Sequence, residues 1–195
     1  MEMVEFDKIK LVIWDLDETF WQGTLMEGGA EIPEVNRALL QKLTDVGIVN
    51  SICSKNDPYV VEKRLREEGL WDLFVFPSVN WEPKGARVKQ LIADMQLRAV
   101  NVLFLDDNHS NREEARFFCP EIMTEGPELI PELCLRVRIA VKKTLNTSAW
   151  PSTRFWKRNG KRKATTVPMR LFFGRAGSGS RSGTTVWKTW IVCTS

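Results

Sequence analysis

Six polar side chains carry the chemistry open to this sequence, and each stands at the edge of an apolar stretch. Asp15 and Asp17 close the run Leu11-Val-Ile-Trp14, Ser54 closes Ile48–Cys53, Asp106 and Asp107 close Val100–Leu105, and Lys84 opens an amphipathic stretch after Trp81-Glu-Pro83. Alternation along an extended chain puts Asp15 and Asp17 on the same side. Two anions that close repel unless a cation or a proton sits between them. Three or more carboxylates around one point call for a hard divalent cation, and Mg²⁺ takes one or two carboxylates plus waters and phosphate oxygens. A hydroxyl and a lysine beside them suit the oxygens of a phosphoryl group, whose charge they neutralise. One Asp can then be a nucleophile and form an aspartyl-phosphate, because the cation and the lysine screen the approach of one anion to another. The second Asp of the first pair can protonate the leaving oxygen and later activate water.

Such a site needs elements that bring distant positions together. Leu11–Trp14 reads as a short buried strand. Val35, Leu39, Leu43 and Val46 recur at helical spacing between Pro33 and Gly47. Ile48–Cys53 is a second strand, and Asp57-Pro58 starts a helix with Val61 and Leu65 in its body and Gly69 at its end. A third strand is expected at Leu73–Phe76, then a helix from Lys84 with Val88, Leu91, Ile92 and Met95 on its buried face. Val100–Leu105 reads as a fourth strand, followed by a helix through Glu113 to Phe118, a short strand around Ile122 and a last helix at Pro131–Val141. Strands alternating with helices predict an α/β fold: a three-layer α/β/α, Rossmann-like core with a parallel sheet. Polar residues at strand ends converge on one crevice of such a sheet, so Asp15, Asp17, Ser54, Lys84, Asp106 and Asp107 are expected to meet.

Composition divides the chain. Of its 28 Lys and Arg, 10 lie in residues 144–195, which hold none of the 25 Asp and Glu. The first 143 residues therefore carry 18 basic and 25 acidic side chains, a net charge of −7. A boundary near Lys143 separates a globular domain, 1–143, from a basic tail, 144–195, in which Pro, Gly, Ser and Thr are frequent and helical periodicity is absent. No apolar run is long enough to span a membrane, and the acidic N-terminus is unlike a signal peptide. Cys53, Cys119, Cys134 and Cys193 show no paired metal-ligand spacing and read as the reduced thiols of a cytoplasmic protein.

The motifs taken together resemble those of the haloacid dehalogenase-like (HAD) hydrolases: Asp15-x-Asp17-x-Thr19 after one strand, Ser54 after a second, Lys84 at a helix start and Asp106-Asp107 after a further strand. The wording around them, Trp14-Asp-Leu-Asp-Glu-Thr-Phe-Trp21, Ile52-Cys-Ser-Lys-Asn56, Trp81-Glu-Pro-Lys84 and Leu103-Phe-Leu-Asp-Asp-Asn108, is similar to the IIIC phosphatase subfamily, which includes the FkbH-like proteins. Those load a glyceryl unit from a phosphorylated three-carbon acid onto an acyl carrier protein. The resemblance implies Asp15 as nucleophile and Asp17 as acid/base. It implies Mg²⁺ held by the carboxylates of Asp15 and Asp106 and the main-chain carbonyl of Asp17, with Asp107 positioning Lys84 or a metal-bound water. Thr19, Ser54, Asn56 and Lys84 are implied around the phosphoryl group. The short intervals between motifs leave no room for a lid domain, so a minimal cap or none is expected, and an open site suits a substrate displayed on a carrier.

Other residues read as structural. His109 is expected at a helix start or on the surface, Trp14, Trp21, Trp71 and Trp81 in packing, and Glu113-Glu114 on a solvated face, while Lys55 is equally suited to substrate or solvent. Two further functional classes compete: a non-catalytic binding module on the same sheet, and a nucleic-acid arm made by the basic tail. The intact set of Asp15, Asp17, Lys84 and Asp106 argues against the first.

The tail has an odd composition for an evolved disordered segment, since it holds four of the eight tryptophans. The genetic code offers an explanation. Codons begun at the third base of those written turn Trp150-Pro151 into Ala, Trp156-Lys157 and Trp187-Lys188 into Glu, and Trp190-Ile191 into Asp, whatever synonymous codons are used. Val186-Trp187, Thr189-Trp190 and Val192-Cys193 each become Leu, Met or Val, an apolar stripe at helical spacing. The tail thus reads as an out-of-frame translation after one base lost beyond the Lys143 codon. The restored frame permits a charged helix similar to the segment that follows the phosphatase domain in FkbH-like proteins, which makes a nucleic-acid role for the written tail unexpected.

Overall fold

The computed structural model describes residues 6–25 and 29–137. The basic tail therefore lies outside the described residues, as does the expected end of the last helix beyond 137.

Five parallel strands form one sheet in the order β3-β2-β1-β4-β5: β1 (Leu11–Trp14), β2 (Val49–Ser54), β3 (Ser78–Val79), β4 (Val102–Leu105) and β5 (Met123–Glu125). The central strand β1 pairs with β2 through Leu11–Val49 to Trp14–Ile52, and with β4 through Leu11–Val102 to Trp14–Leu105. All four of its side chains are buried, which a strand covered on both faces requires.

Alternation sorts those side chains between two cores. Val12, Trp14, Leu103 and Leu105 face a core built with α1 (Glu34–Asp45), α2 (Pro58–Glu67) and a helix described over 130–137. Leu11, Ile13, Val102 and Phe104 face the other, built with α3 (Lys84–Asp94) and α4 (His109–Phe118). This is the expected three-layer, Rossmann-like α/β/α arrangement with a parallel sheet. Gly85 permits the close contact of α3 with α4, since a Cβ there would lie 2.6 Å from the Phe118 ring and 2.8 Å from the Glu114 carbonyl oxygen.

Several element boundaries follow their sequence signals. Asp57 caps α2 by accepting the N–H groups of Tyr59 and Val60 at 2.9 and 3.0 Å, with Pro58 at the first helical position. Gly47, at φ +83°, ends α1. Other details differ from expectation. The third strand is at Ser78–Val79, not Leu73–Phe76: Trp71–Leu73 is a 3₁₀ turn, Phe74 makes one isolated bridge to Asn50, and Phe76 at φ +51° breaks extension before Pro77. Helix α4 begins at His109, four residues earlier than the apolar pattern suggests, because Asn108 caps it through Ser110 N–H at 2.9 Å. Val35 is exposed, and α1 buries Asn36, Leu39, Leu40 and Leu43 instead.

Strands β1, β2 and β4 end together at one edge. Between β1 and α1 the described chain adds only a two-residue antiparallel bridge, Gln22 with Glu31, so no separate domain covers that edge among the described residues. No described helix is long and apolar enough to cross a membrane. Cys53, Cys119 and Cys134 are free thiols.

Candidate active site

At that edge Lys84, the first residue of α3, is only 2% exposed and sits between two buried carboxylates. Its ammonium lies 2.6 Å from Asp15 Oδ1 and 2.7 Å from Asp106 Oδ2. Asp15 follows β1 and Asp106 follows β4, so the sheet itself sets their separation. Asp106 is held further: Oδ1 accepts from the Asn108 amide at 2.9 Å and from Asn111 Nδ2 at 3.1 Å. Arg112 donates to the carbonyls of Asp106 and Asp107 at 2.5 and 2.9 Å, fixing the turn after β4.

Burial raises the Asp15 carboxyl to about 6; Lys84 opposes that rise and the Asp106 charge adds to it. For Lys84, burial pulls downward, but the charges of Asp15 and Asp106 more than offset it and leave the ammonium above its ordinary value. The Asp107 carboxyl is raised by burial and by the Asp106 charge. Carboxylates pushed up beside a retained lysine mark a site still short of positive charge. Asp15, Asp106 and Asp107 each offer an oxygen within 4.8 Å of the others, a hard-oxygen set of the kind a divalent cation takes.

Asp17 stands apart from that set. Its Oδ1 accepts from Trp21 Nε1 at 2.7 Å and from the Leu25 amide at 3.3 Å, and its Oδ2 accepts from Asn56 Nδ2 at 3.0 Å. The Asn56 amide also lies 3.3 Å from Ser54 Oγ, so it bridges Asp17 to the end of β2. Asp15, Asp17, Glu18, Ser54, Lys55, Lys84, Asp107, Asn108 and Asn111 line a crevice of about 220 Å³.

Two residues expected around the phosphoryl group, Thr19 and Asn56, are not in that lining. Thr19 Oγ1 accepts the Asp107 amide at 2.9 Å, which ties the turn after β1 to the turn after β4. Sequence reasoning passed over Asn111 and Arg112, although each falls on the first turn of the helix after Asp106, where a side chain reaches back to the strand end. Trp21 was expected only to pack, yet it is a donor to Asp17. Trp81, expected in packing, is 65% exposed. His109 is exposed at the start of α4, 3.7 Å from Glu113.

Arg87 was also overlooked. It is buried one turn into α3 and donates to the carbonyl of Ser54 at 3.0 Å, to those of Asn80 and Glu82 at 3.1 Å each, to Ser78 Oγ at 3.0 Å and to the Ser78 carbonyl. One guanidinium thus fastens the end of β2 to the loop that delivers Lys84. Removing it strands several acceptors, so Arg87→Ala should cost about 3 kcal/mol of stability in urea denaturation. Arg87→Lys should recover only part, because an ammonium has three donors in place of a planar fork of five. A variant Arg87→Ala as stable as the parent would show that the clamp carries no net stability.

No family model matches the sequence. No curated protein matches it either. Similar folds occur among solved structures. The N-terminal part of a Bacteroides fragilis protein, containing a phosphatase domain and complexed with Mg, is 23% identical over 66% of this chain, with a TM-score of 0.55. This chain spans 39% of that one. The 3-deoxy-D-manno-octulosonate 8-phosphate phosphatase of Moraxella catarrhalis, in complex with magnesium, phosphate and KDO, is 16% identical over 74% of this chain and 95% of its own, at TM-score 0.52. A Legionella pneumophila protein assigned to HAD subfamily III A is 17% identical over 73% of this chain and 92% of its own, at TM-score 0.51. At these identities the likeness establishes the fold.

Proposed function

We propose that residues 1–143 form a Mg²⁺-dependent phosphoryl hydrolase or phosphotransferase of the HAD type, working through an aspartyl-phosphate on Asp15. The observation that carries this reading is the buried Asp15–Lys84–Asp106 triad, of which Asp15 and Lys84 line the crevice, with a second carboxylate, Asp17, held separately beside it.

Asp15, Asp106 and Asp107 fit Mg²⁺ as three clustered hard-oxygen donors whose charge Lys84 alone does not balance. When bound, the ion supplies positive charge that polarises the phosphoryl oxygens. Lys84 and Ser54, which both line the crevice, orient those oxygens. Asp15 attacks phosphorus while the bond to the leaving oxygen breaks, and Asp17 donates its proton to that oxygen. Asp17, now anionic, takes a proton from the water that attacks the aspartyl-phosphate. The bond from phosphorus to Asp15 breaks, releasing phosphate. An acceptor hydroxyl in place of water takes the phosphoryl group instead and makes the second step a transfer.

A crevice of about 220 Å³ is smaller than the roughly 300–1,000 Å³ of drug-sized ligand sites, so it encloses a phosphoryl group and a few neighbouring atoms. With no separate domain over it among the described residues, the remainder of a substrate extends into solvent. This supports a small phosphorylated acid, or one presented on an acyl carrier protein, as the resemblance to FkbH-like proteins implies.

The test is phosphate release with Mg²⁺ from phosphorylated three-carbon acids, with and without carrier protein. Release that requires Mg²⁺ is expected, and none from any phosphorylated acid overturns the reading. Binding has its own readout. Mg²⁺ at 100 times its Kd should stabilise the chain by about 2.7 kcal/mol in a thermal shift assay, and Asp106→Asn should abolish the response.

A further inference from the structure

Asp17 is held by an unusual donor. The turn after β1 reverses through Glu18, at φ +54°, with the amides of Thr19, Phe20 and Trp21 all directed at the Leu16 carbonyl at 3.2, 2.9 and 3.1 Å. That reversal carries the Trp21 indole back to the carboxylate four residues before it. Trp21 is fully buried and set edge-on to Phe20, which is itself set edge-on to Trp14 and Phe74. Its two side-chain torsions are thus locked by packing, and its one polar atom is aimed at Asp17 Oδ1.

The acceptor count gives the carboxylate a direction. A carboxylate oxygen has about two lone-pair positions. Among the described residues both on Oδ1 are taken, by Trp21 and the Leu25 amide, while Oδ2 takes only Asn56. The Asn56 amide also touches Ser54 Oγ, which places Oδ2 on the side of the crevice where Ser54 stands.

We propose that Trp21 is a positioning residue: its indole N–H fixes the rotamer of Asp17 so that Oδ2, with its one open position, is presented to the reacting oxygen. The role rests on the phosphoryl-transfer reading above. A buried indole needs an acceptor in any fold, so the test must separate the hydrogen bond from the packing.

Two replacements do so. Trp21→Phe removes the donor and some volume. Putting β-(3-benzothienyl)alanine at position 21 keeps the two-ring shape and removes only the N–H, which leaves a folded protein to measure if Trp21→Phe does not fold. Either should lower kcat by about 10- to 100-fold, the penalty of a misplaced reacting group, with KM changed less than about threefold. Independently of turnover, Asp17→Asn should shift the Trp21 indole ¹H–¹⁵N resonance and leave that of Trp14, whose indole donates to Asn50 Oδ1 at 3.0 Å, in place. A benzothienyl variant with kcat within twofold of the parent overturns the proposal, as does an unmoved Trp21 resonance in Asp17→Asn. If the parent chain releases no phosphate, the functional reading falls and this role with it, even where the resonance moves. If the parent turns over and only the variants keep full kcat, the role falls alone.

Discussion

Asp15→Asn is expected to lower phosphate release by at least about 10⁴-fold, the scale on which enzymes lose a covalent nucleophile. The amide keeps the shape of the side chain, but it cannot form the acyl phosphate and offers a poorer oxygen to a cation. Folding should barely suffer. The change removes one of two buried like charges, and Lys84 keeps its contact with Asp106 at 2.7 Å. The decisive comparison is with Asp17→Asn in the same assay. Asp17 lies outside the carboxylate cluster, so its loss should slow protonation of the leaving group and hydrolysis of the intermediate while Asp15 still reacts. Mass spectrometry of quenched Asp17→Asn should find phosphate on Asp15, and Asp15→Asn should carry none. Near-parental release by Asp15→Asn, with normal folding, would exclude it as the nucleophile.

Lys84→Met should have the largest effect on stability, about 3–5 kcal/mol in the metal-free protein, because it leaves two carboxylates in the interior without their cation. Asp15 is 5% exposed and Asp106 fully buried, so water cannot take the place of the ammonium. The loss should depend on pH in a definite direction. Asp15 already titrates near 6 in the fold, above its ordinary 3.8, and Lys84 is the group that opposes that rise. A carboxyl raised in the folded state lends stability that is complete below the unfolded value and disappears as pH rises through the folded one. Without Lys84 that folded value climbs further. The variant should therefore be closest to the parent near pH 4 and fall progressively behind it toward pH 7.5. Mg²⁺ restores positive charge at the same carboxylates and should recover part of the difference. Urea denaturation at the two pH values, with and without Mg²⁺, checks this. A deficit independent of both pH and Mg²⁺ would mean that Lys84 contributes packing alone.

How far the site was legible follows from the kind of information each residue carries. Asp15, Asp106 and Lys84 stand where an apolar strand or an amphipathic helix begins or ends, and a parallel sheet gathers such positions at one edge whatever the side chains are. The partners of these residues are another matter. Trp21 reads as packing in sequence because a tryptophan in an apolar stretch usually is packing. Only the reversal at Glu18 turns its N–H onto Asp17. Arg87 carries no strand-end or helix-start signal in the sequence, and only the close approach of the end of β2, of β3 and of the residues after β3 gives its guanidinium acceptors to bind. The third strand was misplaced for a similar reason, since Leu73–Phe76 is apolar enough to extend but Phe76 adopts φ +51°.

From its sequence alone this protein has an α/β order, a buried central strand in β1, and carboxylates, a hydroxyl and a lysine waiting at strand and helix ends. Burial is non-directional and proportional to area, so periodic patterns record it without coordinates. The tertiary structure decided that Lys84 stands between Asp15 and Asp106, that Asn111 and Arg112 hold the turn after β4, and that Trp21 and Asn56 take hold of Asp17. Hydrogen bonds, including those between charged groups, weaken over a fraction of an ångström and a few tens of degrees. Their partners are therefore chosen by how the layers pack, and no pattern along the chain encodes that choice.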